Sequence, residues 1–106
     1  MDETKEIPIA TVRQKINETC DKLKELLVCK NVAYGNSALT VPPFASTTIE
    51  EAIAVRFGDK ITRLKNLIKH SEASYFENLD DTIRDVAGYA ILWIIARELG
   101  SEQKTN

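Results

Sequence analysis

The chain has 106 residues, 43% hydrophobic and 28% charged, with a formal net charge of -2, a length that holds one domain with a single core and leaves no room for a second. Its acidic balance, with a pI near 5.4, excludes a general nucleic-acid binder, which carries a basic excess along one face. The opening residues Met1 to Glu6 are polar and acidic with no apolar leader segment, so a cytoplasmic protein is expected.

In chain order, residues 1–10 read as a loose arm, with Pro8 closing it and Thr11 as N-cap of a first helix. Val12, Ile16, Cys20, Leu23, Leu26 and Leu27 give that helix an apolar stripe that ends near Cys29. Cys20 and Cys29 lie on opposite sides of it, about 13 Å apart along the axis, too far to pair. They are expected as buried or partly buried thiols, and no zinc-ligand spacing surrounds them. Lys30 to Ser46 carries Gly35, Asn36, Pro42 and Pro43 and reads as a long connection of the kind that often bears function.

Thr47 and Thr48, each followed three residues later by Glu50 or Glu51, form a capping-box signal for a second helix. Its expected buried stripe is Ile49, Ile53, Phe57, Ile61, Leu64 and Ile68. Gly58 in its middle lowers helix propensity by about 1 kcal/mol and suggests a close backbone approach or a ligand. The lone histidine, His70, sits at a helix end beside Lys69 as a solvent-exposed, dipole-stabilised imidazole. After a connection around residues 70–76, a third helix is capped by Asn78 and ended by Gly100, leaving 101–106 as a tail. From Val86 to Ala96 it is apolar nearly all round, which suits a helix buried on several sides. That run is well short of the roughly 20 residues needed to span a bilayer. Three helices cannot enclose one of their own number, so a partner subunit on the third helix is expected. The fold expectation is all-α: a small antiparallel bundle of three main helices, domain 11–100, with a long loop between the first two.

Chemistry concentrates on two facing stripes. Asp81, Asp85 and Tyr89 fall at i, i+4 and i+8 of the third helix, and Arg56, Asp59, Lys60 and Arg63 are mutual neighbours on the second. Stacked like charges cost a few tenths of a kcal/mol alone, so a counterpart is expected. If the helices are antiparallel, the stripes meet. Asp59, Asp81 and Asp85 would then hold Mg²⁺ and serve catalysis, or Arg56, Lys60 and Arg63 would clamp phosphate directly. A plain interhelical ion-pair network is the competing reading. Tyr89 reads either as a core-edge aromatic or as a base-stacking group. In the connection, Lys30 is placed to meet phosphate, Tyr34 to stack on a base, and Asn36 and Ser37 to read polar edges. There is no nucleophile with a base at recognisable spacing and no Gly-rich phosphate loop.

The ordered set Lys30-Asn31-x-Ala33-Tyr34-Gly35-Asn36-Ser37-Ala38, Arg56-x-x-Asp59-Lys60-x-x-Arg63-Leu64 and Asp81-Thr82-Ile83-Arg84-Asp85-Val86-Ala87-Gly88-Tyr89-Ala90 resembles the first type of nucleotide modification associated domain. That small helical domain is frequent in phages and is itself distantly similar to MazG-like all-α nucleoside triphosphate pyrophosphatases. The resemblance covers most of residues 27–93. It implies nucleotide handling in the bacterial host cytoplasm, with Mg²⁺-dependent release of pyrophosphate as the enzymatic outcome. The alternative it leaves open is non-catalytic sequestration of a cyclic nucleotide immune signal by a phage counter-defence protein. The pyrophosphatase pattern has Glu-x-x-Glu and Glu-x-x-Asp on successive helices; here Asp81 and Asp85 are four apart and the second helix offers Asp59 alone near its middle. Glu18, Asp21 and Glu25 of the first helix are the further acids that would complete such a site.

Overall fold

The computed structural model describes residues 6–40, 47–70 and 78–104. Over these the chain is all-α: α1 (Ile9–Tyr34), a 3-10 turn (Ser37–Leu39), α2 (Ile49–Lys69) and α3 (Leu79–Lys104), with no strand among the described residues. Contacts divide it into two units, Met1–Ala33 and Tyr34–Asn106. The first is α1 up to Ala33, and the second holds α2, α3 and the 3-10 turn, which touches both helices. Pro42, Pro43 and the connection 71–76 lie outside the described residues.

α1 is longer at both ends than the sequence suggests. Thr11 is not its cap: the backbone N–H groups of Thr11 and Val12 donate to the Pro8 carbonyl at 3.0 and 3.2 Å, so Pro8 starts the helix instead of closing the arm. At the other end Lys30 to Ala33 contain no breaker, and the helix runs on to Tyr34. Gly35 then takes φ 63°, the left-handed conformation that glycine adopts without a Cβ penalty after a helix. The long connection therefore begins at Gly35, not at Lys30. On the apolar stripe of α1, Ile9, Val12 and Ile16 are 68%, 43% and 54% exposed, and Leu23 and Leu27 are half-buried. Cys20 and Cys29 are free and exposed, contrary to the expected burial.

α2 opens as read. The Thr48 hydroxyl accepts from the Glu51 backbone N–H at 3.1 Å, satisfying one of the four orphan donors of a helix start. The Glu51 carboxylate bonds the Thr47 hydroxyl, so the reciprocal half of the box goes to the neighbouring threonine. At the far end the exposed His70 is the C-cap, its N–H donating to the Asn66 carbonyl at 2.8 Å. α3 is capped as expected by Asn78, whose Oδ1 accepts from the N–H groups of Asp80 and Asp81 at 2.7 and 3.3 Å. Gly100 does not end it. A glycine inside a helix costs about 1 kcal/mol, which four further residues of helix tolerate, and α3 continues to Lys104.

The two helices run antiparallel, since Glu50 near the start of α2 meets Trp93 and Arg97 late in α3 while Lys60 meets Asp85 near its start. Ala52, Ile53, Leu67 and Ala96 form the buried apolar centre, with Ile53 fully enclosed. Such a side chain contributes about 1.5–3 kcal/mol by leaving water. Thr82 is also fully buried, and its hydroxyl is satisfied within the first turn by the Asn78 carbonyl at 3.2 Å. Ile68 was expected in the core but is 69% exposed, and Leu67 takes its place. The reason is the 3.6-residue period: from Ile53 the inner line passes through Phe57, Lys60, Leu64 and Leu67. On α3, Ile83, Ile91 and Ile94 are 48%, 37% and 58% exposed, while the rest of 86–96 is buried or half-buried.

Candidate functional site

The inner line of α2 carries one charged residue, Lys60, at the level of Asp85. Lys60 Nζ lies 2.9 Å from Asp85 Oδ2, and the two side chains are 19% and 25% exposed. This is the contact that the facing stripes were expected to make. Its geometry is that of a charge-assisted hydrogen bond, and partial removal from water strengthens it over a surface pair.

The remaining candidates distribute around this pair. Arg56 is half-buried one turn before Lys60, and Arg63 is exposed almost one turn after it; spacing of 4 and 3 residues keeps the three cations on one side of α2. Asp59 is exposed. Asp81 is 72% exposed and accepts from Arg84 on its own helix at 3.1 Å. The stripe of Asp81, Asp85 and Tyr89 thus turns from solvent toward the seam, with Tyr89 half-buried. Among the described residues no three of His, Cys, Asp or Glu group closely enough to hold a metal ion. Asp85 is engaged by Lys60 and Asp81 by Arg84, so both carboxylates of the α3 stripe already carry a cationic partner.

The connecting segment separates into two parts. Lys30 is exposed on α1, in the other unit. The side chain of Tyr34 lies outside the described set. Asn36 and Ser37 are exposed at the 3-10 turn, where the Asn36 carbonyl accepts from Leu39 N–H at 2.8 Å. The Ser37 carbonyl accepts from the Thr40 hydroxyl at 2.9 Å. Since this turn touches both α2 and α3, Asn36 and Ser37 belong to the same unit as the cations. Gly58, read as a mark of close approach, is exposed, and a Cβ built on it meets nothing within 4 Å.

A second polar centre was not singled out from the sequence. One oxygen of Glu50, Oε1, accepts from the Trp93 indole N–H at 2.9 Å and from Arg97 at 2.7 Å. Trp93 also meets Phe57 edge-on, with centroids 5.7 Å apart, a preferred aromatic geometry. The available signal was Trp93 and Arg97 at i, i+4 on α3 together with an acid in the first turn of α2. Its partners are more than 40 residues apart, beyond the reach of local spacing.

No protein-family model, curated protein or solved structure matches the chain. No helix among the described residues is long and apolar enough to cross a membrane.

Proposed function

We propose that the α2–α3 hairpin binds a phosphorylated nucleotide without metal, with Arg56, Lys60 and Arg63 engaging its phosphates and Asp85 orienting the Lys60 ammonium. The observation that carries this reading is the part-buried Lys60–Asp85 pair at 2.9 Å. An ammonium has three N–H donors, and one bond to Asp85 fixes its direction while two donors serve a ligand. The carboxylate that would best serve a divalent ion is thereby committed to a cation. Three cations at 4 and 3 spacing match the spread of charge on a di- or triphosphate or a cyclic dinucleotide, and the resemblance of residues 27–93 to the nucleotide modification associated domain supplies the ligand class. Tyr89, Asn36 and Ser37 are the groups placed in the same unit for the base. The reading is therefore sequestration of an intact nucleotide, as in phage counter-defence, and assigns no step to Mg²⁺. The exposed α3 face of Ile83, Ile91 and Ile94 is where a partner subunit would dock.

The test is to incubate the purified protein with linear and cyclic nucleotides, with and without Mg²⁺. Mass spectrometry is then run on the filtrate and on ligand released by heating. Intact nucleotide is expected in the heat-released fraction without Mg²⁺, with affinity falling about 10- to 100-fold in Arg63→Ala, the equivalent of one charge-assisted hydrogen bond. A cleaved product that forms only with Mg²⁺ and disappears in Asp85→Ala would establish the pyrophosphohydrolase instead.

A further inference from the structure

We infer that α1 pairs with α1 of a second copy of this chain as a parallel, in-register coiled coil, independently of the hairpin's ligand. Ile9, Val12, Ile16, Thr19, Leu23 and Leu26 follow one another at spacings of 3, 4, 3, 4 and 3, five of the six apolar. This is the a/d pattern of a coiled-coil seam, with Cys20 and Leu27 beside it at e. Along the seam Ile9, Val12, Ile16 and Leu26 are 68%, 43%, 54% and 37% exposed, and Leu23 is half-buried. In proteins most of a helix's stability comes from packing its apolar face rather than from propensity.

Two observations select a second copy as the occupant. The surface of α1 has a shallow hollow lined by Val12, Lys15, Ile16, Thr19 and Cys20. With Ile9 at a, these are positions d, g, a, d and e, and the first four are the hole that receives an a-position knob in a parallel pair. Ile16 of a second copy is that knob. Charge selects the direction. In parallel register Lys15 and Lys22 at g face Cys20 and Leu27 at e of the other copy, so no like charges oppose between g and e and the lysine stems cover apolar surface. In an antiparallel pair g faces g, which sets Lys15 against Lys22 twice. The acids stay off the seam: Glu18 binds Lys15 at 3.5 Å and Asp21 binds Lys24 at 3.6 Å within the helix. Lys30 falls at the next a position, where it meets Lys30 of the second copy; a polar residue at one a position specifies register at a cost in stability.

The experiment uses the full chain with Cys20→Ser and Cys29→Ser, adding Val12→Cys on the seam or Asp21→Cys on the outer face, each oxidised with copper-phenanthroline. A disulfide-linked dimer is expected for Val12→Cys and not for Asp21→Cys, since only parallel in-register packing brings position 12 against its own copy within disulfide reach. Light scattering of Ile16→Asp with Leu23→Asp is expected to give half the mass of the unmodified chain at the same concentration, with Trp93 fluorescence unchanged as the control that the hairpin is folded. Equal cross-linking at positions 12 and 21, no cross-link at 12, or an unaltered mass in the double variant would each overturn the inference, whether α1 then covers its own hairpin or meets a different protein. Nucleotide retention is read separately and decides nothing here.

Discussion

Gly58 sits in the interior of α2 with open space where a Cβ would be, and its carbonyl accepts the Thr62 hydroxyl at 3.1 Å. Nothing in the fold requires glycine there. Gly58→Ala is therefore expected to stabilise the protein by about 0.5–1 kcal/mol, through lower chain entropy in the unfolded state. That corresponds to a rise in Tm of a few degrees in a thermal scan; a lower Tm would show that the open space is needed. The same variant measured for nucleotide retention separates a passive glycine from one that admits a ligand. Lys60 and Asp85 invite a double-mutant cycle with Lys60→Met and Asp85→Asn. Exposed pairs couple by under 1 kcal/mol and fully buried ones lose 3–5 when one partner is removed. At 19% and 25% exposure a coupling of about 1–2 kcal/mol is expected in denaturant unfolding, and a coupling near zero would remove the pair as an organiser of the seam. That these two residues meet was legible in the sequence because both sit at helical spacing on stripes of opposite sign. Arg84 lies at i+3 from Asp81 on the same helix, a nearer partner for that carboxylate than any cation across the seam.

At the scale of elements, the α2–α3 hairpin is held at one end by the Glu50 carboxylate receiving Trp93 and Arg97 and nearer its middle by Lys60 and Asp85. Trp93→Phe keeps an aromatic ring against Phe57 but removes the indole N–H from Glu50. A loss of about 1 kcal/mol is expected, the net worth of one hydrogen bond to a charged acceptor in a part-exposed setting; urea unfolding followed by far-ultraviolet circular dichroism measures it. A loss as large as that of Trp93→Ala would mean the hydrogen bond, not the ring, carries the contact. The starts of α2 and α3 are legible because Thr48 and Asn78 announce them chemically through side-chain oxygens that bind orphan N–H groups, whereas α1 starts at Pro8 ahead of Thr11, which caps nothing. The end of α2 at His70 agrees, but those of α1 and α3 do not: the apolar stripe stops near Cys29 and Gly100 has the look of a terminator, yet a helix outlasts its stripe where no breaker follows, and a glycine with free space costs only about 1 kcal/mol. The exchange of Ile68 for Leu67 has a similar origin: adjacent apolar residues leave the phase of the stripe undecided, and the position of Ile53 against α3 decides it.

For the whole molecule, the division into α1 and the hairpin means that two spectroscopic probes see different things. Trp93 is the one tryptophan of the sequence and lies in the hairpin against Phe57, so its emission reports that unit alone. Circular dichroism at 222 nm reports all the helices, of which α1 supplies 26 residues against 21 and 26 for α2 and α3. If α1 is covered by a second copy, dilution uncovers its seam, and a lone helix of that composition loses much of its order. The expected result of serial dilution is a fall in helical signal of up to about a third while Trp93 emission stays fixed, with a midpoint that moves to higher protein concentration in Ile16→Asp. Mass action requires this concentration dependence whenever folding of a segment is coupled to association. Signals that are both constant would show α1 to be covered within its own chain. Signals that fall together would show that the hairpin also depends on the partner, as cover over Ile83, Ile91 and Ile94 would make it.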